Sequence, residues 1–406
     1  MTEPDKIEQS LRTILRFLNE YVIKHPPFTS DFYKQKGIPS DMEMQTLFDK
    51  LNASYRHYLN GDSDFCKVLI NDLAQAHALR KGNRENTDTN VKFPHLSDDD
   101  FEEFCRSSDT LQIIGGPVKD TPFDFIVIPG ALQGGVEKRM NTALDYLKRV
   151  PFQGQILVFG TQDRRLYPFT SLGEVKEPIT FEILADTLNK AKGSQENTAA
   201  SVQKQLMHQY QIIKQKFGPL KETEIADILA QKWECETGLK WPTEYQMVYR
   251  LANKKLKFRP VQLIETSRRT TVPAHKRATS QDEAFYIADK IQKLTQEKKR
   301  HIPAFVPSVA IVTHYGYQVE TYREAINRQL KNTKIEMMSP YKGTKDFLDS
   351  FWAKKWQPGK SIAELRGAFV VEVLDAFARL IYSQHHKCHL NEIIKAWQQK
   401  KRIKNL

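Results

Sequence analysis

Three features of this 406-residue chain predict an α/β fold built on a mostly parallel sheet of about five strands. Short apolar runs recur at Phe123–Ile128, Gln155–Phe159, Val261–Ile264, Val309–Thr313 and Lys334–Met338, the apolar residues of the first being mostly β-branched. Helical patterns lie between them, over Glu137–Lys148, Phe181–Lys192, Ala199–Lys216, Thr223–Trp233, Glu244–Lys254, Gln281–Gln296 and Val319–Leu330. The first apolar run also stops on a small-residue loop, PGALQGG (129–135), and a helix follows at once. Continuous apolar runs are strands buried on both faces, and alternation with helices sets them parallel.

Helical segments flank this core. Ile7, Leu11, Ile14, Leu15, Leu18 and Val22 recur at helical spacing before His25-Pro26-Pro27. Further helices are expected at Met42–Leu59 and Asp64–Arg80, then a polar linker over 81–90. Ser97 ahead of Asp98, Asp99 and Asp100 reads as the N-cap of a short helix ending near Arg106. Ala363–Tyr382 and Leu390–Lys401 are helical at the other end. The expected division is a helical segment 1–110, an α/β domain 111–340 and a helical segment 341–406. The long interval between the second and third strands holds a helical insertion, 163–255, expected to cap the sheet's ligand edge.

Composition narrows the function classes. Hydrophobic residues at 40% and charged residues at 27% are ordinary for a soluble globular protein. The N-terminus has no signal-like apolar segment and no run is long enough to span a bilayer, so a cytoplasmic protein without a membrane partner is expected. Cys66, Cys105, Cys235 and Cys388 form no CxxC pair, which removes zinc-ribbon and thioredoxin-type readings. The net charge of +12 would suit a polyanion, but basic residues are spread along the chain. Dense clusters occur only at Lys298-Lys299-Arg300 and Lys400-Lys401-Arg402, neither interleaved with aromatics, and nucleic acid is not the expected partner.

In open α/β sheets, ligands sit beyond the carboxyl ends of the strands. The residues there are therefore the candidates: Gly130, Ala131, Gln133, Gly134, Gly135 and Arg139 after the first strand, and Gly160 and Thr161 after the second. Glu265 ends the third, followed by the 266–270 polar segment; Thr313, His314 and Tyr315 follow the fourth. Each candidate has a plain alternative. The glycines serve turn geometry equally well, Arg139 could pair with a surface carboxylate, and a lone histidine often only donates a hydrogen bond. Glu265 is harder to set aside, because carboxylates seldom end buried strands without partners. His314 is the best local acid–base candidate.

The order of these motifs resembles the bacterial YdcF/SanA-like family over roughly residues 120–340. IVIPGALQGG matches its first strand and glycine loop, with Arg139 as the arginine of its first helix; ILVFG, VQLIE and VAIVTHYGYQVETYREA match later strands. The family's helix-opening glutamate falls on Glu222, with Glu244 a competing match. Ser280, Asp282 and Glu283 stand against its T-x-E-N motif, so the acid is kept as Asp282 and the amide becomes Glu283. The family's downstream His and Arg fall on Tyr317 and Glu320, with Arg323 one turn further on. A fainter echo of the family's closing helix lies in NEIIKAWQQK (391–400).

The resemblance implies a Rossmann-like sheet that binds S-adenosylmethionine or another adenosine-containing ligand. Gly130–Gly135 would approach it by backbone, Glu222 or Glu265 would accept ribose or amine hydrogen bonds, and His314 and Asp282 would face the reacting end. A cation suits such carboxylates better than a triphosphate does. Two readings stay open: a metal-assisted phosphoryl hydrolase or transferase, and a non-catalytic module whose helical termini dock a protein partner. His385, His386, Cys388 and His389 could hold a soft metal or simply form a polar turn, and no metal is assigned. Phe351, Trp352 and Trp356 read as packing aromatics.

Overall fold

Five parallel strands form one sheet in the order β3-β2-β1-β4-β5, a Rossmann-like α/β arrangement. They are β1 (Phe125–Ile128), β2 (Gln155–Thr161), β3 (Val261–Thr266), β4 (Ser308–Val312) and β5 (Lys334–Met338). The computed structural model describes residues 3–24, 96–116, 118–218, 220–257, 259–267, 280–355 and 361–384. The expected helices at Met42–Leu59, Asp64–Arg80 and Leu390–Lys401, the 81–90 linker, Trp356, and the 385–389 cluster lie outside these residues. Chain contacts divide the molecule into two compact units. One comprises residues 118–313 and 322–340; the other holds the described parts of 1–117, 314–321 and 341–406.

Within the first of these, every β1 residue is buried, as its unbroken apolar sequence requires. Phe125 to Ile128 pair with Gln155 to Val158 of β2, and Phe125 to Val127 with Val309 to Ile311 of β4. One sheet face carries Ile126, Ile128, Ile156, Val158, Ala310 and Val312 into a core with two helices. These supply Val136, Met140 and Ala143 on one side and Met247, Val248 and Leu251 on the other. In chain order after α1 (Glu3–Lys24) and α2 (Asp98–Thr110), the first of these helices is α3 (Gln133–Arg149).

The insertion has its own core. Helices α4 (Ile179–Lys192), α5 (Ala199–Phe217) and α6 (Glu222–Thr237) enclose Phe181, Leu184, Leu206, Tyr210, Leu229 and Trp233, with Trp241 beyond them. Thr198 caps α5 in a reciprocal box with Ser201, and left-handed Gly193 and Gly238 end α4 and α6. The next helix, α7 (Glu244–Lys255), differs from expectation. It lies on β2 and β3 as the crossover helix and is no part of the insertion's core. The unit is completed by α8 (Ser280–Lys299) and the later residues of α9 (Gly316–Gln329).

The other unit joins the two ends of the chain, which the sequence presents as separate segments. Ser97 caps α2 as expected, its hydroxyl accepting the Asp100 N–H at 3.1 Å, and the helix runs on to Thr110. Against α2 pack α1, with Phe17 and Phe104 ring centroids 4.8 Å apart, and α10 (Thr344–Lys355). Asp109 accepts the Thr344 N–H at 2.6 Å, holding the start of α10. The last described helix, α11 (Ile362–Gln384), adds Phe369, which meets Phe101, Phe347 and Phe351. Phe351 is thus a packing residue, in line with its helical spacing.

Candidate functional site

Strand order reverses between β1 and β4, and at such a switch point the connections leave toward opposite sides and open a crevice at the carboxyl ends. On the β1 side the chain leaves the strand through Gly130. Its N–H donates to Glu283 Oε1 at 2.7 Å, and its carbonyl accepts from Arg139 Nη1 at 2.7 Å. Arg139 is buried and also reaches the Pro129 carbonyl at 2.8 Å. The first-helix arginine therefore shapes the loop rather than pairing at the surface. Because both polar backbone groups of Gly130 are engaged, the glycine serves close approach of side chains.

Two glutamates make that approach. A Cβ built on Gly130 would stand 1.9 Å from Glu244 Oε1. Glu283 comes from the first turn of α8 and takes a second hydrogen bond from the Tyr322 hydroxyl at 3.0 Å. Burial, and the charge of Glu244, push the Glu283 carboxyl up to about 7 against the opposing pull of the Gly130 N–H, Arg139 and Tyr322. Glu244 is 5% exposed and is held by Arg164 Nη1 at 2.8 Å, while its own N–H donates to the Arg164 carbonyl at 2.9 Å.

A third acid completes the group. Glu177 is 1% exposed and accepts the N–H groups of Gln133 and Tyr167. Burial raises its carboxyl above the usual range although Arg164 opposes the shift. Three carboxylates and two guanidiniums, Arg139 and Arg164, thus share the carboxyl ends of β1 and β2. A carboxyl near neutrality can accept or release a proton at physiological pH, and the surplus of acids favours a cation over an anion.

The other sequence candidates fall in various places. Gly134 is exposed with nothing within 4 Å of an added Cβ, whereas Gly135 lies 3.0 Å from the Ala131 methyl by the same measure. Gln133 joins this loop to α4: its Oε1 accepts the Ile179 N–H at 3.1 Å and its Nε2 donates to Glu137. Gly160 is where α7 crosses β2, an added Cβ standing 2.9 Å from Tyr245 Cα. Thr161 is buried and accepts the Asp163 N–H at 3.1 Å. Glu265 is exposed, because β3 is the edge strand rather than an interior one. Glu222 is ion-paired with Lys176 in the insertion, so of the two competing glutamates Glu244 is the one at Gly130.

Asp282 is fully buried in the first turn of α8, and Thr313 is buried with its N–H on the Met338 carbonyl at 3.0 Å. His314 and Tyr315 belong to the unit of the chain ends. There the His314 ring stacks on Phe347 at 5.7 Å, edges Tyr341, and lies 3.9 Å from Tyr315. The Tyr315 hydroxyl donates to Glu372 at 2.7 Å; burial and that carboxylate lift it well above the ordinary phenol range. Arg268, Arg269 and Thr270 lie outside the described residues.

Sequence reasoning passed over Glu283 as a replaced amide and did not single out Glu177 or Tyr322. Arg164 did carry a signal, since it lies in the polar segment Gly160–Arg165 that follows the second apolar run. Among the described residues, no three His, Cys, Asp or Glu side chains are grouped so as to hold a metal ion. No protein-family model, curated protein or solved structure matches this chain.

Proposed function

We propose that this chain binds a nucleoside-type small molecule carrying a cationic centre, with S-adenosylmethionine or a related adenosine ligand the first candidate. The binding place is the carboxyl rim beside β1. What supports this is the pairing of Glu244 and Glu283 around Gly130 at the sheet's switch point. Two acids at one backbone position attract a sulfonium or amine and repel polyphosphate. Gly134, open on its Cβ side, leaves room at the start of α3 for a ribose or base.

Calorimetry with S-adenosylmethionine, its neutral thioether product and adenosine tests the reading. The cationic ligand should bind more tightly than the thioether, and Glu283→Gln should remove that difference. Absence of heat from all three at millimolar concentration would sink it. A divalent-cation-dependent rise in Tm, abolished by Asp282→Ala, would instead favour metal-assisted phosphoryl chemistry.

A further inference from the structure

We infer that the opposite rim of the sheet, where the strands begin, docks peripherally on an anionic lipid surface. In sequence the basic residues are scattered apart from the Lys298-Lys299-Arg300 cluster, but parallel topology gathers more of them around it. Each crossover helix ends at this rim, and helices favour basic residues in their last turn. Lys148 and Arg149 end α3, Lys254 and Lys255 end α7, Lys298 and Lys299 end α8, and Arg328 ends α9. The segments leading into the next strands add Arg259, Arg300, Lys331 and Lys334, all exposed. A habit that serves each helix separately therefore sums to a basic surface.

Some of this charge is neutralised locally. Asp124 takes Lys298 at 3.2 Å, Asp120 takes Arg149 at 2.6 Å, Asp145 takes Lys148 at 2.8 Å, Glu324 takes Arg328, and Glu336 takes Lys119 and Lys334. Lys254, Arg259, Lys299, Arg300 and Lys331 have no ion pair with any described residue. Backbone hydrogen bonds hold the rim together: Ile156 N–H to the Pro260 carbonyl, Asp124 N–H to Ser308, and Lys334 N–H to Pro307.

Charge alone would suit nucleic acid as well. The loop entering β4 decides between them, because directly after Lys299-Arg300-His301 it exposes Ile302 (56%) and Val306 (53%). Aliphatic side chains beside a cationic cluster match the acyl–headgroup boundary of a bilayer, whereas single strands need aromatic platforms for their bases. Among the described residues no helix is long and apolar enough to cross a membrane, so the contact is a surface one. The sequence-level expectation of no membrane partner rested on that missing span.

Co-sedimentation of the full chain with phosphatidylcholine vesicles, with and without phosphatidylserine, tests the inference. Binding should require phosphatidylserine and be released by high salt. Lys299→Glu with Arg300→Glu should weaken it roughly 20-fold or more. Ile302→Ser with Val306→Ser should weaken it several-fold while leaving the salt dependence in place. Lys190→Glu with Lys192→Glu, an exposed basic pair on the insertion, should leave it unchanged, and all variants should keep the wild-type Tm. Failure to bind phosphatidylserine vesicles at low salt overturns the proposal. So does equal loss in the Lys190/Lys192 variant. RNA or duplex binding that falls with Lys299 and Arg300 but ignores Ile302 and Val306 would assign the rim to nucleic acid instead.

Discussion

Glu244 Oε1 fills the space that a side chain on Gly130 would need, 1.9 Å from an ideal Cβ. The glutamate has little freedom to retreat, since Arg164 holds both its carboxylate and, through the Arg164 carbonyl, its backbone N–H. Gly130→Ala should therefore destabilise the protein by about 1–3 kcal/mol, the usual range for overpacking. Gly134→Ala meets open space within a helix and should be neutral or stabilising by about 0.5–1 kcal/mol. Urea unfolding of the two variants distinguishes a packed glycine from a merely permissive one. Equal effects would mean that Glu244 can move aside.

Glu283 gives the site a pH signature. Its folded-state pKa is raised to about 7 from an ordinary value of 4.5, so the native state holds a proton that the unfolded chain releases between those values. Below the lower value both states are protonated and Glu283 contributes nothing. As pH rises through the window, native stability falls, and the deficit is complete above pH 7. From pH 5 to pH 8, Glu283→Gln should gain on the wild type by at most about 3 kcal/mol, and by less to the extent that water reaches the half-buried side chain. A stability difference that stays constant with pH would show that Glu283 does not titrate in this window.

The sheet was legible because its evidence is local: each of the five strands is a short, mostly apolar run, and helix patterns stand between the runs in the sequence. Pairing information is not local. Glu283 lies 153 residues beyond Gly130, and nothing in QDEAF shows that its second acid meets the first strand's loop while Tyr322 arrives from another helix. Glu265 read as the end of a buried strand because apolarity does not distinguish an interior strand from an edge strand. The role of α7 was misjudged for a related reason, since an amphipathic pattern predicts a helix without naming the surface it covers.

Gly160 provides a direct test of that role. An added Cβ would lie 2.9 Å from Tyr245 Cα and 3.2 Å from Val248 Cβ, so α7 itself would have to shift. Gly160→Ala should cost about 1–3 kcal/mol in the absence of any ligand. Were the glycine instead needed only for a ligand to approach the backbone, the variant would keep its Tm and lose affinity alone. Thermal unfolding followed by calorimetry separates the two.

Arg164 is the keystone of the acidic group, facing Glu244 at 2.8 Å and lowering the carboxyl of Glu177 that burial raises. Arg164→Met would leave two buried acids with one fewer counter-charge, and breaking a buried pair from one side costs about 3–5 kcal/mol. Part of that loss should return in Arg164→Met combined with Glu244→Gln, because the second change removes the stranded charge; a coupling of about 1–3 kcal/mol is expected. The single variant should also suffer more at pH 8 than at pH 5. Without Arg164 the Glu177 carboxyl rises further, so its ionisation at high pH penalises the native state more heavily. Urea denaturation of the wild type, both single variants and the pair at the two pH values measures all of this. Additive effects with no pH dependence would mean that Arg164 acts through packing alone.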